Sequence, residues 1–184
     1  VSEQKNKFPV TNNQLSILDI GTGSGCIAIS LAKNLPNAKV FAIDVSEKAL
    51  ETAKRNALKN ETEVTFLLKN ILETDDLEQH FDIIVSNPPF FVNDLKNEEI
   101  RKGIARHAGE DFFSLLVEKS NSLLADDGQI WLILPVKQAD EVIVIASQYD
   151  LLLAERINIH SDENMPAFRQ IICLKRGETI LKES

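Results

Sequence analysis

Two short segments of this chain hold residues whose types and spacing could do chemistry. The first is Asp19-Ile20-Gly21-Thr22-Gly23-Ser24-Gly25. Glycine at alternate positions lets a chain turn tightly and lets its backbone approach a ligand closely. The second is Asn87-Pro88-Pro89-Phe90. Its two prolines fix the backbone and remove two N–H donors, which leaves carbonyl oxygens and the Asn87 side-chain oxygen facing outward. Such a set accepts hydrogen bonds from an amino group and aims its nitrogen in one direction. Phe90 adds a flat face on which a planar group stacks. The nitrogen of an exocyclic amine or amide is conjugated and weakly nucleophilic. Acceptors that hold both its hydrogens favour pyramidal geometry and free the lone pair for in-line attack. Rate then comes from positioning and electrostatics, with little acid–base work.

The residues around the glycine loop narrow its ligand. There is no Walker lysine, which excludes a triphosphate loop. Dinucleotide spacing is met if Ala28 stands as the third position after Gly23 and Gly25, so spacing alone leaves a dinucleotide open. The carboxylate of Asp19 repels a pyrophosphate and suits a ligand that carries positive charge. S-adenosylmethionine, with its ammonium and sulfonium, is such a ligand. Asp44 lies 19 residues beyond Gly25, where a carboxylate accepts from ribose hydroxyls in doubly wound folds. No metal is called for. His80, His107 and His160 are isolated and read as surface residues. Cys26 reads as packing at a helix start.

The elements that must position these groups follow from hydrophobic pattern. Strands are expected at 15–20, 40–44, 64–68, 81–86 and 130–134, with a closing pair at 151–159 and 168–174. Helices are expected at 26–35, with Ser24 as N-cap, and from a cap at Ser46 to about Lys59. Ala49, Leu50, Ala53 and Ala57 form the apolar stripe of that second helix. Further helices are expected at 112–124, followed by a turn at Asp127-Gly128, and at 139–147. Strands apolar on both faces and separated by helices mean a parallel sheet covered on both sides. The fold class is therefore α/β: a doubly wound, mostly parallel sheet of seven strands with a C-terminal antiparallel hairpin. Strand one begins by about residue 15. Residues 1–14 are accordingly read as a tail or truncated segment, 15–176 as the domain and 177–184 as a C-terminal tail.

The 184 residues, 43% hydrophobic and 26% charged, exclude a collagen, a disordered chain and a coiled coil. No apolar run is long enough for a membrane helix. Cys26 and Cys173 make no disulfide framework, and a reducing cytoplasm is expected. The net charge of −8 counts against generic binding to nucleic acid. A nucleic-acid partner must be held by a local basic patch.

Asp19-Ile20-Gly21-Thr22-Gly23-Ser24-Gly25 together with Asp44 resembles motif I and the following acid of class I S-adenosylmethionine-dependent methyltransferases. The resemblance implies that Gly21, Gly23 and Gly25 line the methionine part of the cofactor, with Asp19, Thr22 and Asn87 beside it. It implies that Asp44 and Val45 meet the ribose, and that Asn70 and Ile71 meet the adenine where the family has an Asp. S-adenosyl-L-homocysteine would be the product. Asn87-Pro88-Pro89-Phe90 resembles the (N/D/S)PP(Y/F/W) signature of amino-methyltransferases, which makes these four the implied catalytic residues. Residues 15–87 are similar to release-factor glutamine methyltransferases, which carry a helical N-terminal domain and a Tyr after the two prolines. Residues 87–176 are similar to tRNA(Val) adenine-N6 methyltransferases, which modify the adenine just 3′ of the anticodon. That similarity runs through Asn87-Pro88-Pro89-Phe90-Phe91-Val92-Asn93, Ala105-Arg106-His107 and Met165-Pro166-Ala167-Phe168-Arg169.

Charge favours the second substrate. From Lys96 to His107, four basic residues (Lys96, Arg101, Lys102, Arg106) face two acidic ones (Glu98, Glu99). Phosphate contacts there would position RNA, with Arg169 joining from the loop between the last strands. A target base must leave its stack to reach Asn87, and Phe90 or Phe91 would receive it. The acidic stretch 61–78 cannot face RNA. The expected activity is methylation of adenine N6 in tRNA. Glutamine-N5 methylation of a release factor is the enzymatic alternative, and a non-catalytic cofactor-binding domain is the alternative from another class. A dinucleotide oxidoreductase would leave Asn87 to Phe90 unexplained. No membrane partner is expected.

Overall fold

A computed structural model describes residues 14–73, 77, 79–88 and 112–177. It contains one seven-stranded sheet of order β3-β2-β1-β4-β5-β7-β6. The strands are β1 (Ser16–Ile20), β2 (Lys39–Asp44), β3 (Thr65–Leu68), β4 (Phe81–Ser86), β5 (Leu124–Pro135), β6 (Leu151–Ile159) and β7 (Arg169–Arg176). β1 to β5 are mutually parallel. β7 runs antiparallel to both β5 and β6, and lies between them. The central strands β1 and β4 are buried along almost their whole length, as a sheet covered on both faces requires. β6 is an edge strand and mostly exposed, despite its apolar sequence.

Four described helices flank the sheet: α1 (Cys26–Asn34), α2 (Glu47–Lys59), α3 (Phe112–Ser122) and α4 (Val136–Ser147). Leu116 and Val117 of α3 and Ala139, Val142 and Ala146 of α4 join Leu18, Ile20, Ile84, Ile130, Leu132 and Ile172 in the larger core. Ala28 of α1 packs with Ile17, Val40, Ala42 and Ile83 on the opposite face. α2 starts where Ser46 Oγ accepts from the Ala49 N–H, with Glu47 in its first turn and Lys59 in its last, both favourable to the helix dipole. Its Leu50, Ala53 and Ala57 are buried. No described helix is long and apolar enough to cross a membrane.

Four local expectations are corrected. The N-cap of α1 is Gly25, not Ser24. Gly25 adopts a left-handed conformation (φ 84°) with no side-chain cap, and Ser24 Oγ lies instead 3.2 Å from Cys26 Sγ. Cys26 is exposed rather than packed. Asp127-Gly128 does not precede the strand but lies within β5. Pairing steps from Phe81↔Leu124 to Ile83↔Gln129, so residues 125–128 bulge out of the ladder. Arg176 holds this bulge: its guanidinium donates to the carbonyls of Asn121, Leu124 and Ala125 at 2.7, 3.1 and 3.3 Å. α4 also begins earlier than expected, at Val136 directly after Pro135.

Candidate active site

Because β1 to β5 are parallel, their carboxyl ends share one edge of the sheet. Ile20 is in register with Ile43 of β2 and with Ser86 of β4. The residues that follow, Gly21, Asp44 and Asn87, therefore lie side by side at that edge. Ser86 Oγ donates to the Ile20 carbonyl at 2.8 Å, which ties the ends of β1 and β4 together.

The glycine loop is built by its neighbours. Gly21, Gly23 and Gly25 all have positive φ (70°, 58° and 84°). The N–H groups of Gly21 and Thr22 both donate to the Ile43 carbonyl, at 2.9 and 3.0 Å. Asp44 uses both carboxylate oxygens: Oδ2 accepts from the Gly23 N–H at 2.8 Å and Oδ1 from the Ser46 N–H at 2.9 Å. One carboxylate thus fixes the loop and the start of α2 together. A Cβ on Gly23 would meet nothing within 4 Å, whereas one on Gly25 would lie 3.0 Å from both the Ala53 Cβ and the Ile29 Cδ1. Gly25→Ala should therefore cost about 2–4 kcal/mol, from backbone strain plus overpacking. Gly23→Ala should carry only the strain, about 1–2 kcal/mol. Urea unfolding of the two variants checks the order.

Asp19 is 1% exposed. Its Oδ2 accepts from Thr22 Oγ1 at 2.6 Å and from the Ala28 N–H at 3.2 Å. Its Oδ1 is buried with no partner among the described residues. Burial pushes the carboxyl up to about 6, against the opposing pull of the Thr22 and Ala28 hydrogen bonds. A buried acceptor of this kind suits a cation. An open loop, with a helix start beyond it that Gly25 does not cap, suits a ligand carboxylate. These residues fit a zwitterionic amino-acid group, which S-adenosylmethionine carries.

Asn70 follows β3, where the Lys69 N–H donates to the Asp44 carbonyl at 3.1 Å. Its Oδ1 accepts from the Leu72 N–H at 3.1 Å, so the side chain closes its own turn. Ile71 is buried, and Val45 is exposed at the end of β2. Asn87 is exposed, and Pro88 is buried behind it. Arg169 is not in a loop but is the first residue of β7, in register with Pro135 and Ile159. Pro89, Phe90, Phe91, Arg101, Lys102, Arg106 and His107 lie outside the described residues. His80 and His160 are exposed. Cys173 is buried, and burial pushes its thiol up to about 11, so it is not poised as a nucleophile. Asn56 escaped sequence reading, although its Nδ2 donates to the Ser24 carbonyl at 2.9 Å. The signal available was an Asn in a helix interior, where it is intrinsically poor.

A sheet of this order, a glycine loop after β1 and an acid at the end of β2 define an S-adenosylmethionine-dependent methyltransferase. The model of the methyltransferase small domain family matches residues 6–148. The chain belongs to that family. It is 48% identical to a tRNA1(Val) (adenine(37)-N6)-methyltransferase of Pedobacter heparinus over 164 residues, 89% of this chain and 70% of that protein. It is 64% identical to a release factor glutamine methyltransferase of Flavobacterium psychrophilum over 110 residues, 60% of this chain and 38% of that protein. Among solved structures, TrmN from Thermus thermophilus shares the fold with a TM-score of 0.67 at 21% identity, over 89% of this chain and 44% of that one. A methyltransferase from Pyrococcus furiosus does so with a TM-score of 0.68 at 24% identity, over 88% of this chain and 75% of that one.

Proposed function

We propose that this chain transfers a methyl group to the exocyclic N6 of an adenine in tRNA, at position 37 of a valine tRNA. The observation that carries this reading is the extent of likeness. The 48% identity to the tRNA enzyme runs over 89% of the chain, so it spans both the glycine loop and the Asn87 segment. The likeness to the release-factor enzyme is stronger per residue but covers only 60% of the chain. That higher local identity favours glutamine-N5 methylation as the second reading.

On this proposal residues 15–176 form the methyltransferase domain, acting in the cytoplasm. The glycine loop and Asp19 hold the amino-acid end of S-adenosylmethionine, with the Asp19 Oδ1 taking the ammonium. Asp44 keeps lone pairs for the ribose after its two backbone bonds, and Asn70 lies by the adenine. The cofactor supplies an electrophilic methyl on its sulfonium. Asn87 Oδ1 and the carbonyls of the proline segment accept from the target amino group and direct its nitrogen. Phe90 and Phe91 stack the flipped base, and Arg101, Lys102, Arg106 and Arg169 meet phosphates. The amino proton is lost to solvent after transfer.

The test offers unmodified tRNA and unmodified release factor in parallel, with labelled S-adenosylmethionine and Asn87→Ala as control. Label is expected in tRNA, at one adenine. Label in the release factor alone would overturn the tRNA assignment. Bound cofactor with label in neither would support a non-catalytic domain.

A further inference from the structure

We infer that Asn56, in the C-terminal part of α2, is a positioning residue for the cofactor. It acts by fixing one peptide plane of the glycine loop. The inference rests on the reading that this loop holds the amino-acid end of S-adenosylmethionine.

The Ser24–Gly25 peptide is held at both poles. Its carbonyl accepts from Asn56 Nδ2 at 2.9 Å, and its N–H donates to the Thr22 carbonyl at 2.9 Å. A glycine in the left-handed region would otherwise let this plane rotate at little cost. The plane immediately precedes α1, so its orientation sets where the first N–H groups of that helix point. Gly25 gives those groups no side-chain cap, and Asp19 Oδ2 takes the Ala28 N–H, which leaves the N–H groups of Cys26 and Ile27 to face an anion.

α2 grips the loop at two separated points. At its N-terminal end Ser46 shares the Asp44 carboxylate with Gly23. Two turns further on, Ala53 closes on the α carbon of Gly25, where any Cβ would stand 3.0 Å from its own. Asn56 lies one turn beyond Ala53, on the side facing the loop, and reaches Ser24 across 32 positions of sequence. Asn weakens a helix interior because its side chain competes for backbone groups. Here that side chain is spent on the loop, not on its own helix. α2 thus supports the loop through Ala53 and Asn56.

The test measures binding of S-adenosylhomocysteine and of adenosine by calorimetry, in wild type, Asn56→Ala, Asn56→Asp and Asp19→Asn. Asn56→Ala is expected to weaken S-adenosylhomocysteine about three- to tenfold, with adenosine binding unchanged because adenosine lacks the amino-acid end. Asn56→Asp keeps the size of the side chain but sets a carboxylate against the Ser24 carbonyl, and should weaken it further. kcat at saturating S-adenosylmethionine should stay near wild type. Equal loss for both ligands would mean a general structural role and would overturn the inference. Unchanged affinity in both Asn56 variants would overturn it too. If Asp19→Asn also left affinity unchanged, the placement of the cofactor would fall with it; a loss confined to Asp19→Asn would sink the role of Asn56 alone.

Discussion

Asn87→Ala should lower methyl transfer by about 10²- to 10³-fold while cofactor affinity stays within about twofold. The size follows from the role proposed for the side chain. One preorganised acceptor aimed at the reacting nitrogen acts mainly as charge develops in the transition state, so its loss falls on kcat more than on binding. The fold should tolerate the change. Asn87 is exposed, and the backbone around it is held by the buried Pro88 and by the Ser86 Oγ bond to the Ile20 carbonyl. An exposed truncation of this kind shifts stability by about 0.5 kcal/mol or less. Single-turnover kinetics with parallel calorimetry separates the two effects. If transfer, affinity and melting temperature fell together, Asn87 would be holding the fold and not the substrate.

Asp19→Asn should weaken S-adenosylmethionine by about ten- to a hundredfold, the range for a hydrogen bond to a charged group. The pH dependence is the sharper signature. Burial raises the Asp19 carboxyl from 3.8 to about 6 in the folded chain. Below that pH the group is protonated and offers no charge to an ammonium. Wild-type affinity should therefore rise with pH and level off above about 6, with binding about tenfold weaker at pH 5 than at pH 7. The Asn variant should show no such slope. Stability moves the opposite way. A carboxyl whose folded pKa is raised favours the folded state fully only below its unfolded pKa, and that advantage is lost as pH climbs from about 4 through about 6. The ligand-free wild type should thus lose ground to Asp19→Asn by about 3 kcal/mol across that window. Denaturant titrations at pH 4 and 7 check it. A constant difference between the two proteins would show that burial does not raise the Asp19 carboxyl as described above.

The sheet was legible wherever local pattern and tertiary environment agree. β4 at 81–86 and β6 at 151–159 fall where their apolar residues place them, and Ser46 caps α2 as its sequence suggests. The Asp127-Gly128 pair marked a real break in regular structure. Sequence could not say that the strand resumes across it, because Arg176 holds the bulge from 51 positions away. Ser24 looked like a cap because Ser usually is one. It lost that role to Gly25 because the loop needs a left-handed residue there, and only tertiary contact reveals that. In the site, the three glycines and the two acids were visible as types at fixed spacing. The partners of those acids were not. Nothing local announces that Asp44 binds Gly23 and Ser46 at once, or that Asn70 spends its oxygen on Leu72. Arg169 reads as a loop residue beside Pro166, yet β7 begins with it.

The place of β7 has a consequence for how the chain is made. β6 precedes it in sequence but has β7 as its sheet neighbour, and β7 joins β5 on its other side. During synthesis β6 therefore leaves the ribosome with no strand to pair with. Its pairing waits until β7 has followed. The parallel strands can assemble earlier, through contacts already available to them. In the interval Leu151, fully buried in the finished fold, is bare alongside Leu152, Leu153 and Ile157, which stay exposed afterwards. A stop codon between β6 and β7 removes one strand from the sequence but two from the sheet.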